Sequence, residues 1–181
     1  MLIGLSGYAQ SGKDTVAELL LLNYEYERRS FAEPMRKALL ALNPIVASYS
    51  SRLMYLDEAV DVYGWEWAKK DTDARRLLQV LGTEVGRKMF GESFWVDIAF
   101  KQITNDERIV FNDVRFPNEA QAIVDKGGQV WRVQRENHKP VNLHASETAM
   151  DNWRFDDVIL NAGSLSDLAD EVFMLAKAKQ L

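Results

Sequence analysis

Residues Gly7 to Thr15 read G-Y-A-Q-S-G-K-D-T and lie between the apolar run Leu2-Ile3-Gly4-Leu5-Ser6 and the helix-like run Val16-Ala17-Glu18-Leu19-Leu20. A strand, a loop bounded by Gly7 and Gly12, a lysine and then a helix form a phosphate cradle. Backbone N–H groups of the loop, through Ser11 and Gly12, and the helix N-terminus would face the anion, and Lys13 would meet the outer phosphates of a nucleotide. The general pattern places Ser or Thr directly after the lysine, where its hydroxyl binds the magnesium ion of the nucleotide. Here Asp14 intervenes and the hydroxyl follows at Thr15. A carboxylate beside triphosphate oxygens is repelled unless a cation sits between, so Asp14 or Thr15 is expected to contact magnesium or its water shell. A plain acidic cap on the helix dipole is the other reading of Asp14.

A second group of chemistry-bearing residues follows the strand-like run Arg108-Ile109-Val110-Phe111-Asn112-Asp113. An acid at the end of such a strand holds magnesium beside the phosphates in phosphate-loop enzymes, usually through water. Arg115 stands two residues on, and Glu119 lies on the first turn of the next helix. They read either as site residues or as a surface ion pair, which would be worth little. Arg36, Arg132 and Arg135 each fall near the end of a strand and could reach a phosphate.

The third group lies on one helix. Leu77, Leu81, Val85 and Met89 recur every fourth residue and are expected to face the core. Arg75, Gln79, Thr83 and Arg87 recur at the same spacing on the far side, with Gly82 and Gly86 projecting beside them. Glycine within a helix costs about 1 kcal/mol against alanine. The two glycines therefore predict close approach on that side, by a polar ligand in preference to another helix.

The elements that must position these residues alternate. Strands are expected over Leu2–Ser6, Tyr26–Ala32, Arg108–Asn112, Gln129–Gln134 and Val158–Asn161, with helices over Asp14–Leu22, from Pro34, Ala74–Phe90, Ser93–Ile103 and Asn118–Lys126. A final helix opens on a capping box from Ser164 to Asp167. Asn43 to Asp73 reads as irregular or short-helical and rich in aromatics. The pattern predicts an α/β chain with a mainly parallel sheet of about five strands, helices on both faces, and ligands at the carboxyl ends of the strands. It is expected to form one domain over residues 1–181, with a helical lid or substrate-binding insertion over about 43–104.

Composition narrows the function classes. A net charge of −5 over 181 residues argues against a broad nucleic-acid or anionic-membrane surface. The chain has no cysteine, which excludes disulfides, thiolate metal sites and cysteine catalysis. No membrane span or signal peptide is expected, and a cytoplasmic location fits. His138 and His144 are too isolated to read as a metal site and are expected on loops or the surface.

The segments L-S-G-Y-A-Q-S-G-K-D-T, F-A-E-P-M-R-K-A-L, R-R-L-L-Q-V-L-G-T-E-V-G-R with F-W-V-D, N-D-V-R-F-P-N-E, H-A-S-E and F-D-D-V-I-L-N-A-G-S-L run in order over nearly the whole chain. Together they resemble the deoxynucleoside monophosphate kinases of bacteriophages, in which the G-K-D-T form of the loop is typical. The resemblance implies a P-loop kinase fold and ATP-dependent phosphorylation of deoxynucleoside monophosphates, in the service of viral DNA synthesis. It also implies magnesium as cofactor, small nucleotides as partners and a possible homodimer. It assigns Gly12, Lys13, Asp14 and Thr15 to ATP. To the deoxynucleotide it assigns Met35, Arg36, Arg75 or Arg76, Gln79, Gly82, Thr83, Trp95 and Asp97. Some members carry basic residues where this chain has Ala9 and Gln10, so an acceptor contact from there is not expected.

Transfer to a phosphate acceptor needs no catalytic base, because the acceptor oxygens are already ionised near neutral pH. It needs two polyanions held together, for which Lys13, magnesium and bidentate arginines are suited. Arg36 with Arg75 or Arg76 would grip the acceptor, and Arg115 and Arg135 would meet the transferring group. Other small P-loop kinases, acting on dephospho-coenzyme A or phosphomevalonate, share the loop. A nucleotide-switch protein of the GTPase type would need an N/T-K-x-D motif, which is absent.

Overall fold

A computed structural model describes residues 1–101, 103–104, 107–135 and 148–181. In chain order the elements begin with β1 (Leu2–Ser6), α1 (Lys13–Tyr24), β2 (Glu27–Arg29), α2 (Glu33–Leu42), β3 (Ile45–Ala47), β4 (Leu53–Tyr55) and α3 (Leu56–Asp71). Next come α4 (Ala74–Gln79), a π-helical stretch Val80–Arg87, α5 (Lys88–Phe90) and α6 (Phe94–Phe100). The chain closes with β5 (Ile109–Phe111), α7 (Pro117–Asp125), β6 (Gln129–Arg135), β7 (Asp157–Asn161) and α8 (Leu165–Ala178). It divides into two compact units, Met1–Phe31 with Gln102–Leu181, and Ala32–Lys101.

The first unit is built on a five-stranded sheet in the order β2-β5-β1-β6-β7, with every pairing parallel. β1 lies at its centre, with Leu2 opposite Ile109 on one side and Ser6 opposite Arg132 on the other. All five residues of β1 are buried, as a strand covered on both faces requires. Ile3 and Leu5 join Val16, Ala17 and Leu20 of α1 and Leu168 and Val172 of α8 in one core. Between them Gly4 faces the other way, where α7 comes so close that a Cβ would lie 2.5 Å from Ile123 Cδ1. Ser164 and Asp167 form the expected capping box at the start of α8, with Ser164 N donating to Asp167 Oδ2 at 2.6 Å.

The second unit begins at Ala32, earlier than the expected 43. Leu39 of α2 is part of its core, together with Val46, Met54, Leu56, Ala59, Ala68, Ala74 and Leu78. The stretch expected to be irregular or short-helical contains an unforeseen pair of strands, β3 and β4, antiparallel with Ile45 opposite Tyr55, and then α3, which a break at Gly64 (φ 79°) divides into two short helical pieces. Its aromatics obscure the helical period, because Trp65 and Trp67 pack on the core while Tyr63 is exposed.

On the glycine-bearing helix Leu77 and Leu81 pack against the core as expected and Val85 is half-buried, but the most buried positions lie one residue on. The buried line runs through Ala74, Leu78 and Gly86, whereas Met89 is 70% exposed. Winding with i→i+5 bonds over Val80–Arg87 takes up more residues per turn, so the i, i+4 line stays on one face. The small residues of that line are what let neighbouring helices close on it.

Candidate active site

At the carboxyl end of β1 the chain turns sharply into the loop. Gly7 has φ 141° and packs against β6, where a Cβ would meet the Val133 carbonyl oxygen at 2.2 Å. Gly12, with φ 109°, is the N-cap of α1, and Val16 N donates to its carbonyl at 3.0 Å. Side chains do not reach either position without strain. Lys13 Nζ turns back over the loop and donates to the carbonyls of Gly7 at 2.8 Å and Tyr8 at 2.7 Å. Ser11 Oγ is buried and has no hydrogen-bond partner. An unsatisfied buried hydroxyl is costly, and here it lies in the strand-to-helix loop with the geometry of an anion cradle.

Asn161, at the end of β7, donates from Nδ2 to Ser11 O at 2.9 Å and stands 2.6 Å from where a Gly12 Cβ would be. The tail segment around it carries the family resemblance, but nothing in its spacing signals that it braces the loop.

Asp14 is exposed on the first turn of α1, and its Oδ1 accepts from Asn112 Nδ2 at 2.5 Å. The loop acid is thereby joined to the end of β5. Thr15, the neighbouring hydroxyl, is half-buried. Asp113, next to Asn112, is turned toward the end of β2: Oδ2 accepts from Ser30 Oγ at 2.6 Å and Oδ1 from Phe31 N at 2.9 Å. The expected metal acid is thus also a brace between two strand ends. Among the described residues no cluster of three or more His, Asp or Glu is poised to hold a metal by itself. A magnesium ion carried on nucleotide phosphates needs only one or two protein oxygens, and the exposed Asp14 carboxylate fits that role.

Arg115 is exposed, and Glu119 is not its surface partner. Glu119 is buried, and its Oε2 accepts from the backbone N–H groups of Arg115 at 2.7 Å and Phe116 at 3.1 Å. Its carboxylate thus caps the N-terminus of α7. Arg135 is exposed at the end of β6 and lines a cavity of about 330 Å³ with Tyr8, Ser11, Asp151 and Trp153. His138, His144 and the H-A-S-E segment lie outside the described residues.

In the second unit the residues assigned to the deoxynucleotide fall into two groups. The first is packing. Trp95 is 8% exposed and its Nε1 donates to Gly82 O at 3.0 Å. A Cβ on Gly82 would sit 2.6 Å from Met35 Sδ, and one on Gly86 would sit 2.0 Å from Trp95 Nε1. The glycines are therefore filled by neighbouring side chains, not by open space for a ligand. Trp95 is thus packed with its indole nitrogen against the backbone of the helix.

The second group is exposed and charged. Arg75, Gln79, Thr83 and Asp97 are exposed, and Arg87 is half-buried. Arg76 pairs with Asp73 at 2.9 Å on its own helix turn. Glu66 accepts a hydrogen bond from Lys69, and that bond holds its carboxyl below the ordinary value. Partial burial works the other way, and the charges of Lys69, Arg36 and Arg75 lower it further. Arg36 and Arg75, on separate helices, thus act on one carboxylate, and the Arg36 guanidinium lies 5.8 Å from the centre of the Trp65 ring. Glu66, Lys69 and Trp65 had no sequence signal, since only the fold of α3 brings them to Arg36 and Arg75.

Residues 65–172 match the model of the family described as deoxynucleotide monophosphate kinase. The chain belongs to that family. Membership makes it a phosphotransferase with deoxynucleoside monophosphates as its substrate class. Among relatives of the kinase, a putative deoxynucleotide monophosphate kinase of Acanthamoeba polyphaga mimivirus is 28% identical, covering 88% of this chain and 87% of the relative. The deoxynucleoside-5'-monophosphate kinase of Escherichia phage T5 is 29% identical over 68% of this chain and 71% of its own. The deoxynucleotide monophosphate kinase of Enterobacteria phage T4 is 24% identical over 94% and 96% respectively. No helix among the described residues is long and apolar enough to cross a membrane.

Proposed function

We propose that this kinase transfers the terminal phosphoryl group of ATP to a deoxynucleoside monophosphate, giving the diphosphate and ADP, in support of viral DNA precursor synthesis. The observation that carries the reading is the position of Lys13, whose ammonium is held by two neutral carbonyls, Gly7 O and Tyr8 O. Phosphate oxygens are stronger partners for an ammonium than carbonyls, so a polyphosphate in the loop draws the lysine onto itself.

In this reading Gly7, Ser11, Gly12 and the N-terminus of α1 hold the donor phosphates, and Arg135 supports the transferring group together with Arg115. Magnesium, when bound, would neutralise charge on the phosphates; Asp14 would hold it, and Thr15, next to Asp14 in the chain, and Asp113, next to the Asn112 that bonds Asp14, would order its waters. Arg36 and Arg75 grip the acceptor phosphate. Arg75 is preferred to Arg76, because Arg76 is already paired with Asp73. Gln79 and Thr83 then read the base, with Asp97 and Arg87 beside them. The acceptor oxygen is ionised before it attacks, so the protein supplies position and positive charge and no base. A cytoplasmic location in an infected cell and pairing of two copies belong to the same proposal, supported by the resemblance to phage kinases.

The test is turnover of dAMP, dCMP, dGMP and dTMP with ATP and magnesium, followed by release of ADP. The reading expects at least one to be converted to its diphosphate. Failure of all four, with correctly folded protein, removes it.

A further inference from the structure

We propose that Asp151 and Arg132 are positioning residues of the phosphate loop, acting through the side chain of Tyr8 to keep the loop in shape when Lys13 leaves it for the donor. This inference rests on the reading of Gly7–Thr15 as the donor site. Tyr8 is the first residue after Gly7, and its backbone carbonyl accepts from Lys13 Nζ at 2.7 Å and from Ser11 N at 3.2 Å. In this arrangement the lysine is one of the ties that close the loop. Binding of a polyphosphate takes that tie away, since Nζ must exchange the carbonyls of Gly7 and Tyr8 for phosphate oxygens. A loop that loses internal bonds as its ligand arrives needs support from outside, or part of the binding energy goes into reordering it.

The side chain of Tyr8 supplies that support. Its hydroxyl donates to Asp151 Oδ1 at 3.0 Å, and Arg132 Nη2 donates to the same oxygen at 2.9 Å. The Arg132 guanidinium lies 5.0 Å from the centre of the Tyr8 ring and 5.3 Å from that of Phe155, so it is flanked by two aromatic rings. Its Nη1 also points to Met150 O at 3.4 Å. Arg132 sits on β6 opposite Ser6, the residue from which the loop departs. The cluster is therefore fixed to the sheet beside the loop's first bend and holds that bend by a side chain. Burial and the neighbouring Asp151 raise the Tyr8 hydroxyl above its ordinary value, which keeps it a donor throughout the working pH range.

The experiment compares Tyr8→Phe, Asp151→Ala and the double variant with the wild type. Tyr8→Phe keeps the ring over Arg132 and removes only the hydroxyl, so it guards against a variant that fails to fold. Three quantities are read: the KM for ATP, the KM for the acceptor, and amide hydrogen exchange of residues 7–12 in the protein without nucleotide. The expected result is a rise of about tenfold in the KM for ATP in each single variant, with the acceptor KM within about twofold. The double variant should be no worse than Asp151→Ala, because Asp151→Ala already removes the Tyr8–Asp151 bond that Tyr8→Phe removes, along with the Arg132 pair. Exchange of the loop amides should quicken in both single variants. Lower thermal stability with an unchanged KM for ATP would show the cluster to be structural only, and independent, additive effects would show that Tyr8 and Asp151 do not act together. Should the wild type fail to bind ATP at all, the donor reading falls, while loop exchange still judges the cluster: unchanged exchange overturns it.

Discussion

The indole N–H of Trp95 donates to the backbone carbonyl of Gly82 at 3.0 Å, and the same nitrogen lies 2.0 Å from where a Cβ of Gly86 would be. One side chain thus both uses a carbonyl of the π-helical stretch and fills the space left by a missing methyl group four residues on. The exposed face of that helix, with Gln79 and Thr83, is set by this contact.

Gly86→Ala should therefore destabilise the protein, although alanine favours helix by about 1 kcal/mol. Forcing a methyl group against the indole costs about 1–3 kcal/mol. The net loss is expected to be up to about 2 kcal/mol in urea unfolding, together with weaker acceptor binding. A variant as stable as the wild type would show that the indole moves aside freely.

Lys13→Ala should lower the rate of phosphoryl transfer by about a hundredfold or more, as removal of a charge-stabilising donor does. The unfolding midpoint should change far less than the rate, since the bonds of Lys13 to the Gly7 and Tyr8 carbonyls lie within the loop itself. Near-normal turnover by the folded variant would place the transferring phosphate elsewhere.

Asp14→Asn separates the two readings of that acid. As a magnesium contact it should raise the magnesium concentration needed for half-maximal rate, while nucleotide binding measured without metal stays the same or improves. If the rate at each magnesium concentration is unaltered, Asp14 serves α1 and Asn112 alone.

On the glycine-bearing helix, Arg75→Ala should raise the KM for every deoxynucleotide acceptor by about tenfold, because a phosphate grip carries no base information. Gln79→Ala should instead change the order of preference among the bases. Neither should alter ATP affinity. A loss of ATP binding in Arg75→Ala would exchange the donor and acceptor assignments.

Acid should weaken α8 in a defined way. The Ser164 hydroxyl and backbone N–H hold the Asp167 carboxyl below its ordinary value of 3.8. A depressed carboxyl stabilises the fold above its unfolded value and loses that contribution as pH falls through its folded value. The stability deficit of Asp167→Ala should therefore be constant from neutral pH down to about 4 and vanish at lower pH. A deficit that persists at pH 2 would mean that packing, and not the cap, is lost.

The loop and the parallel sheet were legible because their signals are local. Gly7, Gly12 and Lys13 specify a strand-to-helix turn within a few residues, and the buried runs of β1, β5 and β6 mark a sheet covered on both faces. The apolar line of the long helix holds at Leu77 and Leu81 but fails at Met89, since a fixed fourfold spacing cannot reveal where the winding changes to i→i+5. Glu119 read as a site residue because a capping carboxylate and a ligand-binding one look alike in sequence. Pairings such as Asp14 with Asn112, or Asn161 with Ser11, join residues brought together only by strand order. Arg36 and Arg75 were both expected at the acceptor, but the carboxylate of Glu66 that both act on comes from a stretch that reads only as irregular or short-helical.

The central position of β1 also dictates when the loop can exist during synthesis. Leu2 finds its partner only at Ile109, and Ile3 finds its other partner only at Gln129. The ribosome must therefore deliver most of the chain before the first strand has a neighbour on either side. Until then the helices of the inserted unit, whose contacts are nearer in sequence, are the only part able to condense. Pairing between such distant segments is slow, because the closure entropy precedes the reward. The nucleotide cradle, although first in the sequence, is among the last features to form, and a nascent chain cut short before β6 carries the motif without its shape.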